Sequence, residues 1–551
     1  MNLNQLQQHA VACTAPRIVC SAAPGSGKTR VFVERISRMI QDGTDPHSIV
    51  AVTFTNVAAA EIQKRLGPGV MLGYVGTLHG FVLRLLQEHG RTIGLAQRLT
   101  VLDEAEAEVM RVAAIQAMNY KGTRKSVDAE IDLGVQHFRA AARRPENDTE
   151  RVAFEYYFRL LTTGCLTFDM ILSLGLELVQ KLAQPTLGQY GHLRRYEHLL
   201  VDEAQDASEI DWQIYEALPV KTRFFVGDSR QRIFSFRGSC DGFESRIAGS
   251  PGNGWTALEL SSNYRCAFAI VTAANNLMRQ HAPMVSATGE IGSVIVTRYD
   301  TAAEEQSAVS THVKHCLAVT PANDMAVLVR TNALAAEFRK ALESSDIPVR
   351  SRKKIEHPLD WHIARAFIGL LTNPENDRLA FKFVELKLGT EKAGQMQRDA
   401  VADFTTINDR WLHIRNMQVA DVTTAMVQAG LDRESIGRVR ELIDTLQPGS
   451  TLLELQGALQ ALEADEQMEG DGVTVTTCHG AKGKEWECVW LPAWEEGILP
   501  GRGDVEEDRR LAYVALTRAK ALAAISWAGK RVLEWKGVQV QKPSRFIAEL
   551  S

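Results

Sequence analysis

The sequence predicts an α/β protein of two lobes, each built on a parallel sheet and each carrying a mostly helical insertion. Short apolar runs of strand length alternate with amphipathic helical patterns early in the chain, and the alternation starts again near Ile291. Two long stretches between these regions are helical in pattern throughout. We expect the first lobe to comprise residues 1–81 and 191–265, its insertion 82–190, the second lobe 266–354 and 469–551, and its insertion 355–468.

The bulk composition is that of an ordinary globular protein. The 551 residues are 45% hydrophobic and 23% charged, which is enough chain for several domains. The net charge of −5 gives no direct support for a nucleic-acid partner. It does not exclude one, because a groove can be basic on an acidic protein.

Cysteine usage and hydropathy exclude two further classes. The eight cysteines are scattered without a Cys-x-x-Cys pair, which argues against a zinc ribbon or an iron–sulfur cluster. We find no secretory leader and no apolar run long enough to span a membrane. The sequence therefore predicts a cytoplasmic protein without a membrane partner.

A glycine-rich turn near the N-terminus predicts a nucleotide site. An apolar run precedes it and an amphipathic helical pattern follows, so it lies at a strand-to-helix junction, where a Walker A loop belongs. Lys28 is placed to reach the β- and γ-phosphates, and Thr29 to hold Mg²⁺ through its hydroxyl. Ala22 stands where the strict motif has glycine; a plain glycine-rich turn is the less favoured alternative. The residues expected to surround the triphosphate are Ala23, Pro24, Gly25, Ser26, Gly27, Lys28 and Thr29.

Two consecutive acids predict the other half of this site. The apolar run that starts at His198 ends at Asp202 and Glu203. Asp202 is expected to hold Mg²⁺ through water, and Glu203 to act as the general base on the attacking water. A paired acid at a strand end is weak evidence alone, but together with a P-loop it predicts one metal–phosphate site.

Several side chains at predicted strand ends suggest a second ligand. Thr55, Asn56, Thr77 and His79 follow strand-like runs, and ligands of parallel sheets lie at the carboxyl ends of strands. Helix capping is an equally good explanation of each residue taken alone.

Other residues are open to two interpretations. Phe234 and Phe236 lie among arginines, which suits base stacking, although core packing is an even alternative. Gln7 precedes the P-loop and could read an adenine edge, although a surface glutamine is the commoner case. We also expect a helix over residues 507–520 that carries Arg518.

Taken together, these motifs resemble superfamily 1A helicases of the UvrD/Rep/PcrA type. The motifs follow the family's order over nearly the whole chain. The resemblance implies two RecA-like P-loop lobes, ATP and Mg²⁺ as cofactors, and ATP-dependent 3′–5′ travel on single-stranded DNA with unwinding of 3′-tailed duplexes. Segments 479–486 and 513–518 resemble motifs V and VI.

The resemblance also implies roles for individual residues. At the nucleotide it implies that Gln7 reads adenine, Tyr264 stacks on adenine, Arg30 packs near the base, Glu485 lies near the ribose, Gln231 senses the γ-phosphate, and Arg265 and Arg518 act as arginine fingers. At DNA it implies contacts from Thr55, Asn56, Thr77, His79 and His479, and base stacking by Phe234 and Phe236.

Three departures from the family pattern are visible. Val57 replaces a lysine that often follows Thr-Asn, and Phe234 and Phe236 replace the commoner Tyr and Trp. The second insertion is shorter than in the longer relatives. We expect neither a C-terminal tail nor an appended nuclease domain of the RecB type.

The expected biological setting has two versions. In the first, the chain is an autonomous helicase whose candidate partner is a repair or replication protein. In the second, it is a DNA-stimulated ATPase or translocase that unwinds little alone and serves a partner nuclease, as in an anti-phage defence complex such as Gabija. An inactive scaffold is disfavoured, because a full set of catalytic residues is present.

Overall fold

The structure is a computed structural model. It describes residues 3–67, 69–140, 145–183, 195–235, 238–250, 252–352, 359–372, 422–428, 431, 433–446, 451–452, 455–456, 458–459, 468–533 and 537–550.

The first lobe is built on a six-stranded parallel sheet. Its strands, in spatial order, are Tyr74–Thr77, Ile49–Thr53, His198–Val201, Thr222–Gly227, Arg17–Ala22 and Thr256–Leu260. Every residue of Ile49–Thr53 is buried, as expected of a β-branched run covered on both faces. Because all pairings are parallel, the carboxyl ends of these strands share one edge of the sheet.

Helices cover both faces of this sheet. They are Gln5–Ala12, Lys28–Gln41, Asn56–Leu66, Leu78–His89, Glu209–Ala217 and Gly242–Ala248. Phe32 and Ile36 lie one turn apart on the helix Lys28–Gln41 and are fully buried. The Phe32 ring packs against Phe224 of the sheet, with centroids 6.4 Å apart. This apolar stripe fixes the helix that leaves the glycine-rich turn.

The first insertion is largely helical, as expected, with one addition. Its helices are Glu104–Ala117, Arg124–Ile131, Gly134–Ala140, Asp148–Thr162 and Phe168–Leu182. Two short strands, Thr100–Val101 and Cys165–Leu166, pair in parallel within it. The helix Leu78–His89 runs without interruption through residue 82, where we expected the boundary. A Cβ at Gly175 would lie 2.0 Å from Val82, so the glycine permits close packing of two helices there.

The second lobe has a five-stranded parallel sheet. In spatial order the strands are Ser293–Tyr299, Ala519–Ala528, Trp486–Leu491, Met325–Val329 and Thr474–Thr477. Its helices are Phe268–Leu277, Ala302–Cys316, Asn332–Glu343, Val505–Leu516 and Arg545–Glu549. The described helices of the second insertion are Leu359–Thr372, Val422–Gln428 and Arg433–Thr445.

Three two-stranded pairs complete the described strands. Ser262–Asn263 pairs in parallel with Val285–Ser286. Ser351–Arg352 pairs with Met468–Glu469, and Lys530–Leu533 pairs with Gly537–Val540, both antiparallel. Within the described part of the chain, no helix is both long and apolar enough to cross a membrane.

The expected helix over 507–520 is wrong at its C-terminal end. The helix stops at Leu516, and Lys520 lies in the strand Ala519–Ala528. Arg518 therefore lies in the short turn between helix and strand. Its Nε atom donates to the Val514 carbonyl at 2.9 Å, which fixes the side chain against the last helical turn.

Candidate functional site

The glycine-rich turn connects the strand Arg17–Ala22 to the helix Lys28–Gln41. Gly25 and Gly27 have φ values of +64° and +79°, a region that disfavours other residues. A Cβ at Gly25 would lie 2.5 Å from the Cβ of Arg265. Gly25 thus permits close approach of the segment that carries Arg265, as well as the turn itself.

Lys28 and the two acids meet beside this turn. Lys28 Nζ lies 3.1 Å from both carboxylate oxygens of Glu203. Glu203 has φ +52°, which is unfavourable for a non-glycine residue and is typical of functional sites. Asp202 is buried, and its Oδ1 accepts the Glu203 N–H at 2.9 Å.

The two acids differ in pKa. Burial and the neighbouring Glu203 carboxylate raise the pKa of Asp202. Burial also opposes ionisation of Glu203, but the positive charges of Lys28 and Lys482 outweigh it and lower that pKa. Glu203 is therefore ionised at neutral pH, as a base requires.

The donor set fits Mg²⁺ that is shared with phosphates. Thr29 offers a hydroxyl in the first turn of the helix, and Asp202 offers a carboxylate whose ionised form a cation would favour. Among the described residues, no group of three or more His, Cys, Asp or Glu could form an all-protein metal site. Mg²⁺ is usually coordinated by one or two protein side chains together with phosphate oxygens of the substrate and water.

A chain of hydrogen bonds runs from Glu203 to the second lobe. Gln205 donates to Glu203 at 2.6 Å and accepts the Asp228 N–H at 3.0 Å. Gln231 donates to Asp228 at 2.8 Å and accepts from Arg518 at 3.3 Å. Burial lowers the pKa of Arg518 to about 10, so it remains charged at neutral pH. The sequence had given Gln205 no role; its position depends on the packing of two strand ends.

Gln7 is 3% exposed, so the surface alternative is wrong. Its Oε1 accepts the Asn4 N–H, and its Nε2 donates to the Ser26 carbonyl, both at 2.9 Å. Asn4 in turn donates to the Tyr264 hydroxyl at 2.7 Å. Tyr264 is 42% exposed, which leaves ring surface open beside the turn. The Gln7 amide retains one N–H and one oxygen lone pair for a further partner.

Arg265 and Glu485 form an ion pair through Nε and Oε2, and Lys520 binds the other oxygen of Glu485 at 3.1 Å. Burial opposes ionisation of Glu485, and the Arg265 charge lowers its pKa overall. Arg265 is thus directed at Glu485 through its Nε atom. Arg30 lies half-buried in the first turn of its helix.

The hydroxyls at the strand ends do cap helices. Thr55 and Thr77 accept the N–H groups of Ala58 and Gly80, each at 3.2 Å. Asn56 is the first residue of the helix that Thr55 caps. The capping alternative is therefore confirmed for both threonines. Their helices begin at the carboxyl edge of the sheet, where N-terminal N–H groups suit an anion.

His79 stacks on Phe168 of the first insertion, with centroids 4.1 Å apart and an interplanar angle of 12°. Burial lowers the pKa of His79 to about 4, so the ring is neutral at physiological pH. Phe168 is 46% exposed and had received no role from the sequence. The pair forms an aromatic surface between the first lobe and its insertion.

Phe234 is half-buried and stacks on Phe54, with centroids 5.7 Å apart and planes 9° from parallel. Phe54 is 40% exposed. Sequence reasoning missed it, although an aromatic residue at a strand end was an available signal. Phe236 lies outside the described residues.

Lys482 is a further residue that the sequence reasoning missed. It forms an ion pair with buried Asp206 and donates to the Gln231 carbonyl at 2.9 Å. Its Nζ also lies 4.7 Å from the Phe234 ring centroid. His479, three residues earlier, is half-buried, and burial lowers its pKa.

Family models match most of the chain. The UvrD/REP helicase N-terminal domain matches residues 3–243. The UvrD-like helicase C-terminal domain matches residues 258–382 and 434–530. The gap in the second match falls in the second insertion.

Similar proteins are DNA helicases. The chain is 27% identical to the ATP-dependent DNA helicase PcrA of Leuconostoc citreum, over all of this chain and 85% of the relative. It is 28% identical to DNA helicase II of Escherichia coli (strain K12), over all of this chain and 87% of the relative. A probable DNA helicase II homolog of Rickettsia felis is 27% identical, with 95% of the relative covered. The chain therefore belongs to the UvrD/REP helicase family, of the UvrD/Rep/PcrA type, and is an ATP-dependent DNA helicase.

Proposed function

We propose that this chain moves 3′ to 5′ along single-stranded DNA and unwinds duplex DNA ahead of it, driven by ATP hydrolysis between its lobes. The observation that supports ATP hydrolysis between the lobes is the hydrogen bond from Arg518 of the second lobe to Gln231 of the first, and the proposed direction follows from the resemblance to helicases of the UvrD/Rep/PcrA type. This hydrogen bond makes the nucleotide site complete only when the lobes are together.

At the triphosphate, Lys28 neutralises the β- and γ-phosphates once nucleotide separates it from Glu203. Glu203, ionised at neutral pH, then orients and deprotonates the attacking water. Thr29 and Asp202 would hold Mg²⁺, which when bound neutralises charge on the phosphates.

The two arginines complete the site. Arg265 exchanges Glu485 for the γ-phosphate, which leaves Glu485 able to accept from the ribose. Arg518 is supplied in cis by the second lobe of the same chain, and an arginine finger accelerates hydrolysis by about 10³–10⁵. We expect Gln231, which bonds Asp228 and Arg518, to report the γ-phosphate.

Adenine specificity comes from residues at the base, which is the other end of the nucleotide from the phosphates. The N–H and the oxygen lone pair that remain on the Gln7 amide can hydrogen-bond the edge of the base. Tyr264 can stack on the base, and Arg30 can pack beside it. Because Gln7 also bonds Ser26 of the turn, base recognition and turn conformation are linked.

We expect single-stranded DNA to bind along the carboxyl edges of the two sheets, a surface that we name the DNA track. Thr55, Asn56, Thr77 and His479 are positioned for backbone contacts at helix N-termini and loops. The aromatic surfaces of Phe54 with Phe234, and of His79 with Phe168, are suited to stacking bases, and we propose that Phe236 acts with Phe234. Alternate opening and closing of the lobes then moves the strand past these surfaces.

Strand displacement tests the proposal. Purified protein with ATP and Mg²⁺ should displace the strand from a 3′-tailed duplex and leave 5′-tailed and blunt duplexes intact. Arg518→Ala should abolish displacement. DNA-stimulated ATP hydrolysis without displacement would instead favour a translocase that serves a partner nuclease, and displacement from the 5′-tailed duplex would overturn the direction.

A further inference from the structure

The segment 231–235 joins the nucleotide to the DNA track, since it begins at Gln231 and reaches Phe234 and Ser235 within four residues. We propose that the second lobe grips the backbone of this segment through Lys482, Glu507 and Arg510, and that this grip converts lobe closure into movement of the base-stacking ring. The inference rests on the proposed function. We name these three residues the clamp; they act as positioning residues.

Two members of the clamp hold the ends of the segment. Lys482 Nζ donates to the Gln231 carbonyl at 2.9 Å. At the other end, Glu507 Oε1 accepts the Ser235 N–H at 3.2 Å, and Glu507 Oε2 accepts the Ser235 hydroxyl. Phe234 lies between these two points, next to Ser235.

Arg510 holds the middle of the segment. Its Nε atom donates to the Arg232 carbonyl at 2.8 Å. The Arg510 side chain is largely buried, and burial lowers its pKa, while the nearest Asp504 oxygen is 3.9 Å away. A charged guanidinium is therefore committed to a backbone carbonyl of the other lobe.

All three clamp residues bond backbone groups of the segment. Such contacts fix the position of the chain whatever side chains it carries, so the second lobe controls where the Phe234 backbone lies. Hydrogen bonds with a charged partner are also stronger than neutral ones. The clamp is therefore suited to pulling the segment with the lobe.

One helix carries two of the three clamp residues and leads to Arg518 at the nucleotide site. Glu507 and Arg510 lie in the first half of the helix Val505–Leu516, and Arg518 comes two residues after its last residue. Twelve residues of α-helix span about 18 Å and behave as a stiff rod. A single movement of this helix therefore shifts Arg518 at the γ-phosphate sensor and Glu507 beside the stacking ring together.

Glu507→Ala tests the clamp, with Glu506→Ala as its matched control. Glu506 is the preceding residue of the same helix, is more exposed, and bonds Arg509 of its own helix at 3.2 Å. We measure DNA-stimulated ATP hydrolysis and strand displacement in the same reaction, so that ATP consumed per strand displaced is obtained directly.

We expect Glu507→Ala to hydrolyse ATP within about twofold of wild type and to consume at least about tenfold more ATP per strand displaced, as loss of charge-assisted hydrogen bonds predicts. Glu506→Ala should match wild type in both. Equal behaviour of the two variants would overturn the clamp, and so would a proportional loss of hydrolysis and displacement by Glu507→Ala.

Two further measurements keep these outcomes distinct. If Glu507→Ala does not fold, Arg510→Ala tests the clamp at the middle of the segment, because it removes the donor to the Arg232 carbonyl. It should raise the ATP cost in the same direction, and an unchanged cost would count against the clamp. If wild-type protein hydrolyses ATP without displacing any strand, the proposed function fails, and that result is recognised before any variant is compared.

Discussion

Arg518 Nη2 of the second lobe donates to Gln231 Oε1 of the first lobe at 3.3 Å. Within its own lobe, Nε donates to the Val514 carbonyl, Nη1 to the Lys484 carbonyl and Nη2 to the Thr517 hydroxyl. With 2% exposure, the side chain is held in one orientation before any nucleotide arrives. Preorganisation of this kind is what transition-state stabilisation requires.

Arg518→Lys should therefore lower kcat for DNA-stimulated ATP hydrolysis by about 10³ or more, although the charge is kept, because a lysine cannot reproduce the planar set of donors. The KM for ATP should change little, since the contact matters mainly in the transition state. Steady-state kinetics at saturating DNA measure both. Arg545→Lys, an exposed arginine paired with Glu496, is the control and should behave as wild type. A kcat within tenfold of wild type would remove Arg518 from the hydrolysis site.

Glu203→Gln should abolish hydrolysis while ATP binding persists, because the amide cannot accept the proton of water but still fits the site. Fluorescent nucleotide titration measures binding and phosphate release measures turnover. Glu197→Gln offers a matched control, since Glu197 lies just before the opposite end of the same strand and pairs with Lys221 at 2.7 Å. Turnover by Glu203→Gln at the wild-type rate would mean that another group is the base.

Local patterns allowed part of this site to be predicted. The glycine turn and the acid pair each follow an apolar strand directly, so a short stretch of sequence contains the whole signal. Gln205 contacts Asp228 and Lys482 contacts Asp206, each across distant segments of the chain, which no single stretch of sequence reveals. The helix was expected to continue through Arg518 because nothing in its composition marks the end at Leu516.

The strand-end residues show a different limit. Thr55 and Thr77 fit both a cap and a ligand contact, and the structure shows the cap without removing the other role. Phe168 could not be found from sequence, because its exposure depends on how the insertion meets the helix that carries His79. Periodicity alone treats it as one more apolar helical residue.

Phe54→Ala and Phe234→Ala should each weaken binding to single-stranded DNA by about 1–3 kcal/mol, the usual value of one base stacked on an aromatic ring. The double variant should lose less than the sum, because the two rings are in contact. Fluorescence anisotropy with an oligonucleotide, without nucleotide, measures the effect. Phe158→Ala removes an exposed ring of the first insertion and is expected to leave affinity unchanged. Unchanged affinity in Phe54→Ala as well would assign that ring to packing.

His79 should act on DNA as a neutral ring. Burial lowers its pKa from 6.5 to about 4, so its charge is constant from pH 8 to about pH 5.5. The ring's proton should appear in an NMR titration only near pH 4, and His79→Gln should reduce DNA affinity by the same factor at pH 8 and at pH 6. A factor that grows at pH 6 would show that a charged imidazolium binds phosphate.

The same shift has a consequence for stability. Between pH 6.5 and 4 the unfolded chain binds a proton at His79 that the folded chain does not, so stability falls as the pH falls through this window. His79→Gln should remove this sensitivity. If the substitution costs packing, the variant has the lower urea midpoint at pH 7.5, and the two midpoints should converge as the pH falls to 5. Parallel curves of midpoint against pH would contradict the low pKa of His79.

The final prediction concerns stability away from the nucleotide. Arg531 is buried between Glu305 and Glu495, which are both fully buried. Glu305 also accepts from Ser526 and from the Ala493 N–H, so the group joins the last hairpin to the second sheet. Arg531→Met would leave two buried carboxylates without their cation, and the expected loss is about 3–5 kcal/mol of unfolding free energy.

Chemical denaturation followed by circular dichroism measures this loss, and ATPase activity per folded molecule at low temperature should persist, because the cluster touches neither nucleotide nor DNA residues. Arg531→Met combined with Glu305→Gln should recover part of the stability, since one unpaired charge is removed together with the arginine. If the single variant lost under 1 kcal/mol, water would have to reach these carboxylates, and the cluster would not join the hairpin to the sheet.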